Sequence, residues 1–383
     1  MTKKNLKVAL VSLNQFDPWL RDGGSLTILE RLNFFAHHGM KTCVLNFLTN
    51  DIYGRHKVIR VEGMGSYKGI SPKSPIFTKP HNSIQYHQET IPYGYFDLFQ
   101  NYKEVVRIIR ATIECCKIDY VITLDNCLLS LLSANLLEIP GVHFFHCLSN
   151  VLTVANNRAF KLLLKKRVLL ANSKFLKEKI EEVLGFNPEI WYPMLDFEKY
   201  RVLEKNSENN GIGFVSPTKS KGQEIVFEIA RKMPNIRFVI VGDIIDDSIF
   251  KTLPNVIFMG RLQNMKKFYS KIKILLVPSL IHDSFPRVIL ESSVNGIPVI
   301  ANRVGGIPEA LGDSGIPIDA HLDKEINVVE LSEKYIDEIN KIFFDEEKYN
   351  IQRSKALKRV KEFQIEQNKR SFEILNKLFS FAN

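Results

Sequence analysis

Lys221, Asp283 and Glu291 are the side chains of this sequence best placed for chemistry on a charged ligand. Lys221 stands directly before Gly222 in the run Ser216-Pro217-Thr218-Lys219-Ser220-Lys221-Gly222, which opens a helix after an apolar stretch. An ammonium beside the free N–H groups of a helix start suits a diphosphate, because both supply positive potential. Asp283 follows the buried run Leu275–Val277 in a polar loop. A helix then begins near Phe285-Pro286-Arg287; proline suits its first turn, and the unpaired N–H groups there favour an anion. Glu291 lies among Val288, Ile289 and Leu290 on that semi-buried helix. A carboxylate in such a place needs a partner, and two ribose hydroxyls would serve. Gly305-Gly306, ahead of Ile307-Pro308-Glu309, is a second small-residue loop entering a helix, where backbone can approach a ligand closely.

Each residue also has a plainer reading. Lys221 could be a solvated helix-start lysine, Asp283 a helix cap and Glu291 an ordinary helix carboxylate. His146 ends the apolar run Val142–Phe145 and could face a ligand or be a satisfied core histidine; His143 on the same strand competes for the role. His37-His38, Cys115-Cys116 and the histidines at 56, 81 and 87 lack metal-ligand spacing, so no metal is expected. The cluster Lys161–Arg167 (KLLLKKR) reads either as a solvated face or as a contact for an anionic membrane surface.

These groups must be carried by alternating strands and helices, since short apolar runs alternate with amphipathic stretches throughout the chain. Strands are expected at 6–13, 42–48, 120–124, 142–146, 167–172 and 189–192, then at 211–215, 237–241, 256–259, 272–277 and 298–301. Helices are expected up to His38 with a stop at Gly39, at 103–117, 127–137, 222–232, 265–270, 287–294 and 331–344, and finally at Lys369–Phe379. The segment Asp51–Phe99, rich in Gly, Pro, Ser, Tyr and His, reads as a long loop or irregular insertion. Pro193, Asp196 and the polar stretch Glu204–Asn210 mark a linker between two α/β halves. In such a pair a ligand belongs at the carboxyl ends of the strands.

The 383 residues exceed one ordinary core and fit two domains. No apolar run reaches the roughly 18 residues of a bilayer span, and the apolar core at Val8–Leu13 is too short for a secretory signal, so a cytoplasmic location is expected. The five scattered cysteines read as reduced thiols, mostly buried. A net charge of +10 favours an anionic partner. The lysines are spread out and no nucleic-acid signature appears, which sets nucleic acid aside.

The stretch Leu275–Leu311 resembles the donor-binding core of the retaining GT-B glycosyltransferases of family four. The family's paired acidic residues match Asp283 and Glu291, with Phe285 between them. Its G-x-P-V and G-G-x-P-E motifs match Gly296-Ile297-Pro298-Val299 and Gly305–Glu309. Asp283 stands where the family usually has Glu. The resemblance implies two Rossmann-like domains facing across a cleft, with a last helix crossing back to the first. The boundaries would be 1–195 for an acceptor-binding domain, 196–362 for a nucleotide-sugar-binding domain and 363–383 for the returning helix.

It further implies Glu291 on the ribose, Asp283 on the donor sugar and Lys221 on the diphosphate, with Ser216 where the family has Arg or Asn. Lys219 or Arg287 would then compensate for the charge that Ser216 lacks. Arg261 after Gly260 would contact the nucleobase, Gly23-Gly24 ahead of a helix would approach the phosphates, and His146 would face the sugar or acceptor. The co-substrate would be a nucleoside diphosphate sugar with no further cofactor, and the acceptor a glycan, lipid-linked or protein hydroxyl. No D-x-D triplet occurs, which fits metal-independent stabilisation of the leaving group. Two alternatives stay open: a sugar-nucleotide epimerase or hydrolase on the same fold, and a non-catalytic partner protein that keeps the fold.

Overall fold

The computed structural model describes residues 6–13, 23–49, 76–81, 84–91, 99–203, 210–242, 248–322 and 325–380. The chain divides into two compact units. The first comprises Met1–Asn172, Leu176–Met194 and Ser371–Asn383; the second comprises Ser173–Phe175 and Leu195–Arg370.

The first unit is built on an eight-stranded sheet. Its strands are β1 (Lys7–Leu13), β2 (Lys41–Thr49), β3 (Ile76–His81), β4 (Ile84–Ile91), β5 (Tyr120–Leu124), β6 (Gly141–Phe145), β7 (Val168–Ala171) and β8 (Glu189–Ile190), in the order β3-β4-β2-β1-β5-β6-β7-β8. All neighbours run parallel except β3 against β4. Strand β1 shows why so apolar a run is needed. Val8 and Leu10 enter one core cluster while Ala9, Val11 and Leu13 enter another, because successive side chains of a strand point to opposite faces and both faces are covered. The segment expected to be an irregular loop, Asp51–Phe99, thus contributes a strand pair; polar alternation such as Gln85, His87 and Glu89 hid β4 among turn-forming residues. Helix Leu148–Ala155 was also not anticipated.

The second unit has a six-stranded parallel sheet. Its strands β9 (Gly211–Val215), β10 (Phe238–Val241), β11 (Val256–Phe258), β12 (Ile272–Val277), β13 (Val299–Asn302) and β14 (Ile316–Ile318) lie in the order β11-β10-β9-β12-β13-β14. Strand β14 is three residues long and contains Pro317, too short a signal to read from sequence. The helices Gln223–Lys232 and Val328–Phe343 bury Ile225, Val226, Ile229, Leu331, Tyr335 and Ile339 in one core cluster with the sheet.

The final helix runs for 35 residues, Glu346–Ser380, far longer than the expected Lys369–Phe379. It passes from the second unit into the first, where Ile374, Leu375 and Leu378 join the core. Of the cysteines, only Cys43 and Cys127 are buried, so the expectation of mostly buried thiols is corrected: Cys115 is exposed, and Cys116 and Cys147 are half-buried.

Candidate active site

In the second unit the ends of β9 and β12 position the charged groups. Strand β9 stops at Val215, and Ser216 takes a left-handed conformation (φ 61°) that turns the chain. A short 3-10 turn, Lys219–Lys221, leads to Gly222 at φ 82°. Glycine is required there on two counts: the left-handed backbone, and a Cβ that would lie 2.2 Å from the Pro278 carbonyl oxygen. The Lys221 side chain is thereby set beside the loop after β12, and its ammonium donates to Asp283 Oδ1. The second carboxylate oxygen, Asp283 Oδ2, and the neighbouring Ser284 Oγ are buried without a hydrogen-bond partner. Buried polar atoms are almost always paired, so two orphans on adjacent residues leave hydrogen-bonding capacity that a ligand's polar groups could use.

Gly305 and Gly306 serve this same loop. Gly306 N–H donates to the Asp283 carbonyl at 2.6 Å, and a Cβ on Gly306 would lie 1.7 Å from Ser284 O. The close approach that the glycines allow is therefore to the Asp283–Ser284 backbone.

Glu291 sits on the helix Val288–Ser293 and is 5% exposed. Tyr269 donates its hydroxyl to Glu291 Oε2 at 3.0 Å, and Arg287 Nε lies 3.5 Å from Oε1. Arg287 also donates to Tyr200 OH at 3.3 Å. Burial, followed by the Glu291 charge, pushes the Tyr269 phenol well above its ordinary range, so it remains a donor. The Arg287 guanidinium is thus committed to Glu291 and Tyr200, while Lys219 is exposed near Glu224 at 3.8 Å. Phe285 is buried and stacks on Phe363 of the long helix, with centroids 5.4 Å apart; it supports the loop from beneath. Pro286 is half-buried, while Ser216 and Arg261 are exposed.

In the first unit, His146 follows β6 and is joined to two residues that sequence reasoning passed over. Asp125, just beyond β5, accepts from His146 N–H at 2.8 Å and lies 3.2 Å from His146 Nδ1. It holds a left-handed backbone (φ 46°), a strained state that short acidic side chains tolerate better than most. Burial raises the Asp125 carboxyl, but the charge and hydrogen bonds of His146, with Asn150, bring it below the ordinary value. Arg31 lies 3.4 Å from His146 Nε2. Asn172 donates to the His146 carbonyl at 3.0 Å.

His143, the competing histidine, is fully buried between Thr123 Oγ1 and the Asp125 carbonyl, each at 2.9 Å, and burial depresses it to about 4. Gly23 and Gly24 form the first two residues of the helix Gly23–His37, not a loop ahead of it. Only Asp125's position at a strand end, beside a strand that carries His143 and leads into His146, could have flagged it; nothing in its neighbourhood singles out Arg31.

The family model of group 1 glycosyl transferases matches residues 209–334, the span that holds Lys221, Asp283 and Glu291. Residues 209–334 of this chain are thus similar to the group 1 glycosyl transferases. A 41.2 kDa protein of the cps region of Klebsiella pneumoniae is 28% identical over 151 residues, covering 36% of this chain and 42% of its own. The sulfoquinovosyl transferase SQD2 of Arabidopsis thaliana is 26% identical over 181 residues, covering 44% of this chain and 34% of its own. The match thus spans less than half the length of these curated relatives.

Solved structures extend the likeness in fold to the whole chain. The Rickettsia africae glycosyltransferase superposes with TM-score 0.69 at 16% identity, covering 99% of both chains. Anabaena HepE, solved with UDP and glucose, gives 0.69 at 17% identity, covering 98% of this chain and 100% of its own. Sucrose-phosphate synthase from Thermosynechococcus elongatus gives 0.73 at 14%, covering 99% and 100%. The fold is GT-B.

Proposed function

We infer that the protein moves a sugar from a nucleoside diphosphate sugar to an acceptor hydroxyl with retention of anomeric configuration. The observation that carries this reading is the Lys221–Asp283 pair with Asp283 Oδ2 and Ser284 Oγ left without hydrogen-bond partners. A cation for a diphosphate and acceptors for sugar hydroxyls are what a nucleotide sugar brings together, and Anabaena HepE has been solved with UDP and glucose. Lys221 would neutralise the departing diphosphate, Asp283 would hold the sugar and Glu291 the ribose. The last role has a cost: Glu291 must share or exchange the hydroxyl of Tyr269. A preorganised cation at the leaving group lowers the barrier without any proton transfer.

The acceptor belongs to a surface polysaccharide or glycolipid in this reading, which the cps-region relative and the sulfoquinovosyl transferase support by analogy. Exposed Leu152 and Leu162, near Arg158, Lys165 and Lys166, would suit contact with an anionic membrane surface. Among the described residues no helix is long and apolar enough to cross a membrane.

The test is a thermal-shift series with nucleoside diphosphates and their sugars on the wild type, Lys221→Ala and Glu291→Ala. Stabilisation of the wild type by one nucleotide, lost in both variants, is the expected result. No stabilisation at millimolar ligand would overturn the reading and favour a non-catalytic partner protein.

A further inference from the structure

Arg31 is an unusual tenant of the first unit's interior. It lies on the helix Gly23–His37, yet its side chain is 1% exposed and sits in a cluster with Phe144 and Trp191. Its guanidinium carbon is 3.8 Å from the Phe144 ring centre and 5.1 Å from that of Trp191. One terminal nitrogen donates to the Trp191 carbonyl, and the other reaches His146 Nε2 at 3.4 Å. Burying a guanidinium is costly unless its donors are used.

The chemistry of that contact restricts His146. Guanidinium has donors and no acceptor, so Nε2 must offer its lone pair. The ring proton then resides on Nδ1, where Asp125 Oδ2 receives it at 3.2 Å. Asp125 also accepts the His146 backbone N–H on its other oxygen at 2.8 Å, which fixes the carboxylate against the ring. Phe144 lies nearly parallel to the His146 ring (20°, centroids 5.5 Å apart) and so couples the ring to the aromatic face that Arg31 covers.

We propose that Arg31 is a positioning residue which, acting through His146, keeps Nε2 unprotonated so that His146 meets its ligand as an acceptor for a hydroxyl group. At 3.4 Å the hold is at the long end of hydrogen bonding, so an incoming hydroxyl proton can take over the lone pair. A phosphate or carboxylate, having no proton to give at neutral pH, is not favoured there. That His146 touches sugar or acceptor rests on the proposed transferase reading; that Arg31 sets its tautomer does not.

The experiment is nitrogen-15 NMR of the imidazoles in the full chain at neutral pH, with His146 assigned by difference from His146→Gln. The wild type is expected to show Nδ1 protonated and Nε2 as a bare lone pair. A wild-type spectrum with the proton on Nε2 overturns the proposal without any variant having to fold. In Arg31→Met the His146 Nε2 signal is expected to leave the lone-pair range. If it stays, Arg31 merely ties the helix to the Trp191 carbonyl and the proposal fails; Arg31→Leu, which likewise has no donor, gives the same comparison should the methionine variant not fold. With a donor sugar identified, Arg31→Met should lower kcat roughly 10- to 100-fold while donor KM moves less than about two-fold. Loss of kcat with an unchanged His146 spectrum, or an equal rise in KM, would also overturn it. A protein without transfer activity would leave the spectral test intact, which separates the two failures.

Discussion

The Lys221 ammonium and the Asp283 carboxylate, 62 residues apart in sequence, form an ion pair with side chains 30% and 15% exposed. The pair brings the turn after β9 against the loop after β12, and it uses one carboxylate oxygen only. A diphosphate and Asp283 therefore compete for the same cation, whereas the buried Oδ2 has no hydrogen-bond partner.

The two partners should separate in their effects. Lys221→Ala is expected to weaken nucleoside diphosphate binding about 10- to 100-fold, the range for losing one charged hydrogen bond. Asp283→Asn removes the competitor, so binding of the bare diphosphate should hold or tighten while sugar transfer falls. Calorimetric titration with a nucleoside diphosphate, alongside a turnover assay, reads both. Equal weakening of the bare diphosphate by both variants would rule out the division of labour.

Glu291 should be a stability residue as well as a ligand group. Glu291→Ala takes the carboxylate from beside the buried Arg287 and the hydroxyl acceptor from Tyr269. Breaking one partner of a buried pair costs about 3 kcal/mol or more. Tyr269→Phe removes a single hydrogen bond and should cost about 1 kcal/mol. Denaturant titrations of the two variants check the order, and Glu291→Ala proving the milder would count against the buried network.

The sequence made most strands legible because a parallel sheet covered on both faces demands continuous apolar runs, as in Lys7–Leu13 and Ile272–Val277. The long helix was legible only at its end. Its inward stripe of Tyr349, Ala356, Val360 and Phe363 is narrow and continues through Gln367 and Ser371, polar residues that break the apolar pattern. Both are satisfied in place: Gln367 bonds the Leu195 backbone in both directions, and Ser371 accepts from the Trp191 indole at 2.9 Å.

Within the candidate site the same limit applies. Lys221, Asp283 and Glu291 stood out by spacing, and the fold does join the first two. Phe285 has the right neighbours in sequence, but its ring faces inward to Phe363. Arg31 resembles any polar residue of an amphipathic helix, and only the cluster of Phe144, Trp191 and His146 gives it meaning. Such partners come from β6 and from the residues just after β6 and β8, more than 100 residues away, and no local pattern encodes them.

His143 makes the first unit sensitive to acid. Its folded pKa, pushed by burial from 6.5 to about 4, lies below the unfolded value. Between those values the unfolded chain binds the extra proton, so stability is full above about pH 6.5 and is lost as pH falls toward 4. The loss from this one group is on the order of 3 kcal/mol. In His143→Gln the slope of stability against pH over that window should flatten; an unchanged slope would place the acid sensitivity elsewhere.

Gly306 offers the sharpest steric test. A methyl group there would meet the Ser284 carbonyl oxygen at 1.7 Å and its carbon at 2.6 Å, both backbone atoms that no rotamer change can move aside. Gly306→Ala must therefore displace the Asp283–Ser284 segment, stretching the Gly306 N–H bond to Asp283 and moving Asp283 away from Lys221. Overpacking of this kind costs about 1–3 kcal/mol, and the donor site should lose nucleotide-sugar binding beyond what stability alone explains. Gly185 is the matched control: its φ of 74° strains an alanine, but nothing lies within 4 Å of the added carbon. Gly185→Ala should lose about 1 kcal/mol of stability and bind the donor normally. Donor binding retained in Gly306→Ala would mean that the glycine pair merely turns the chain and does not hold the Asp283 loop in place.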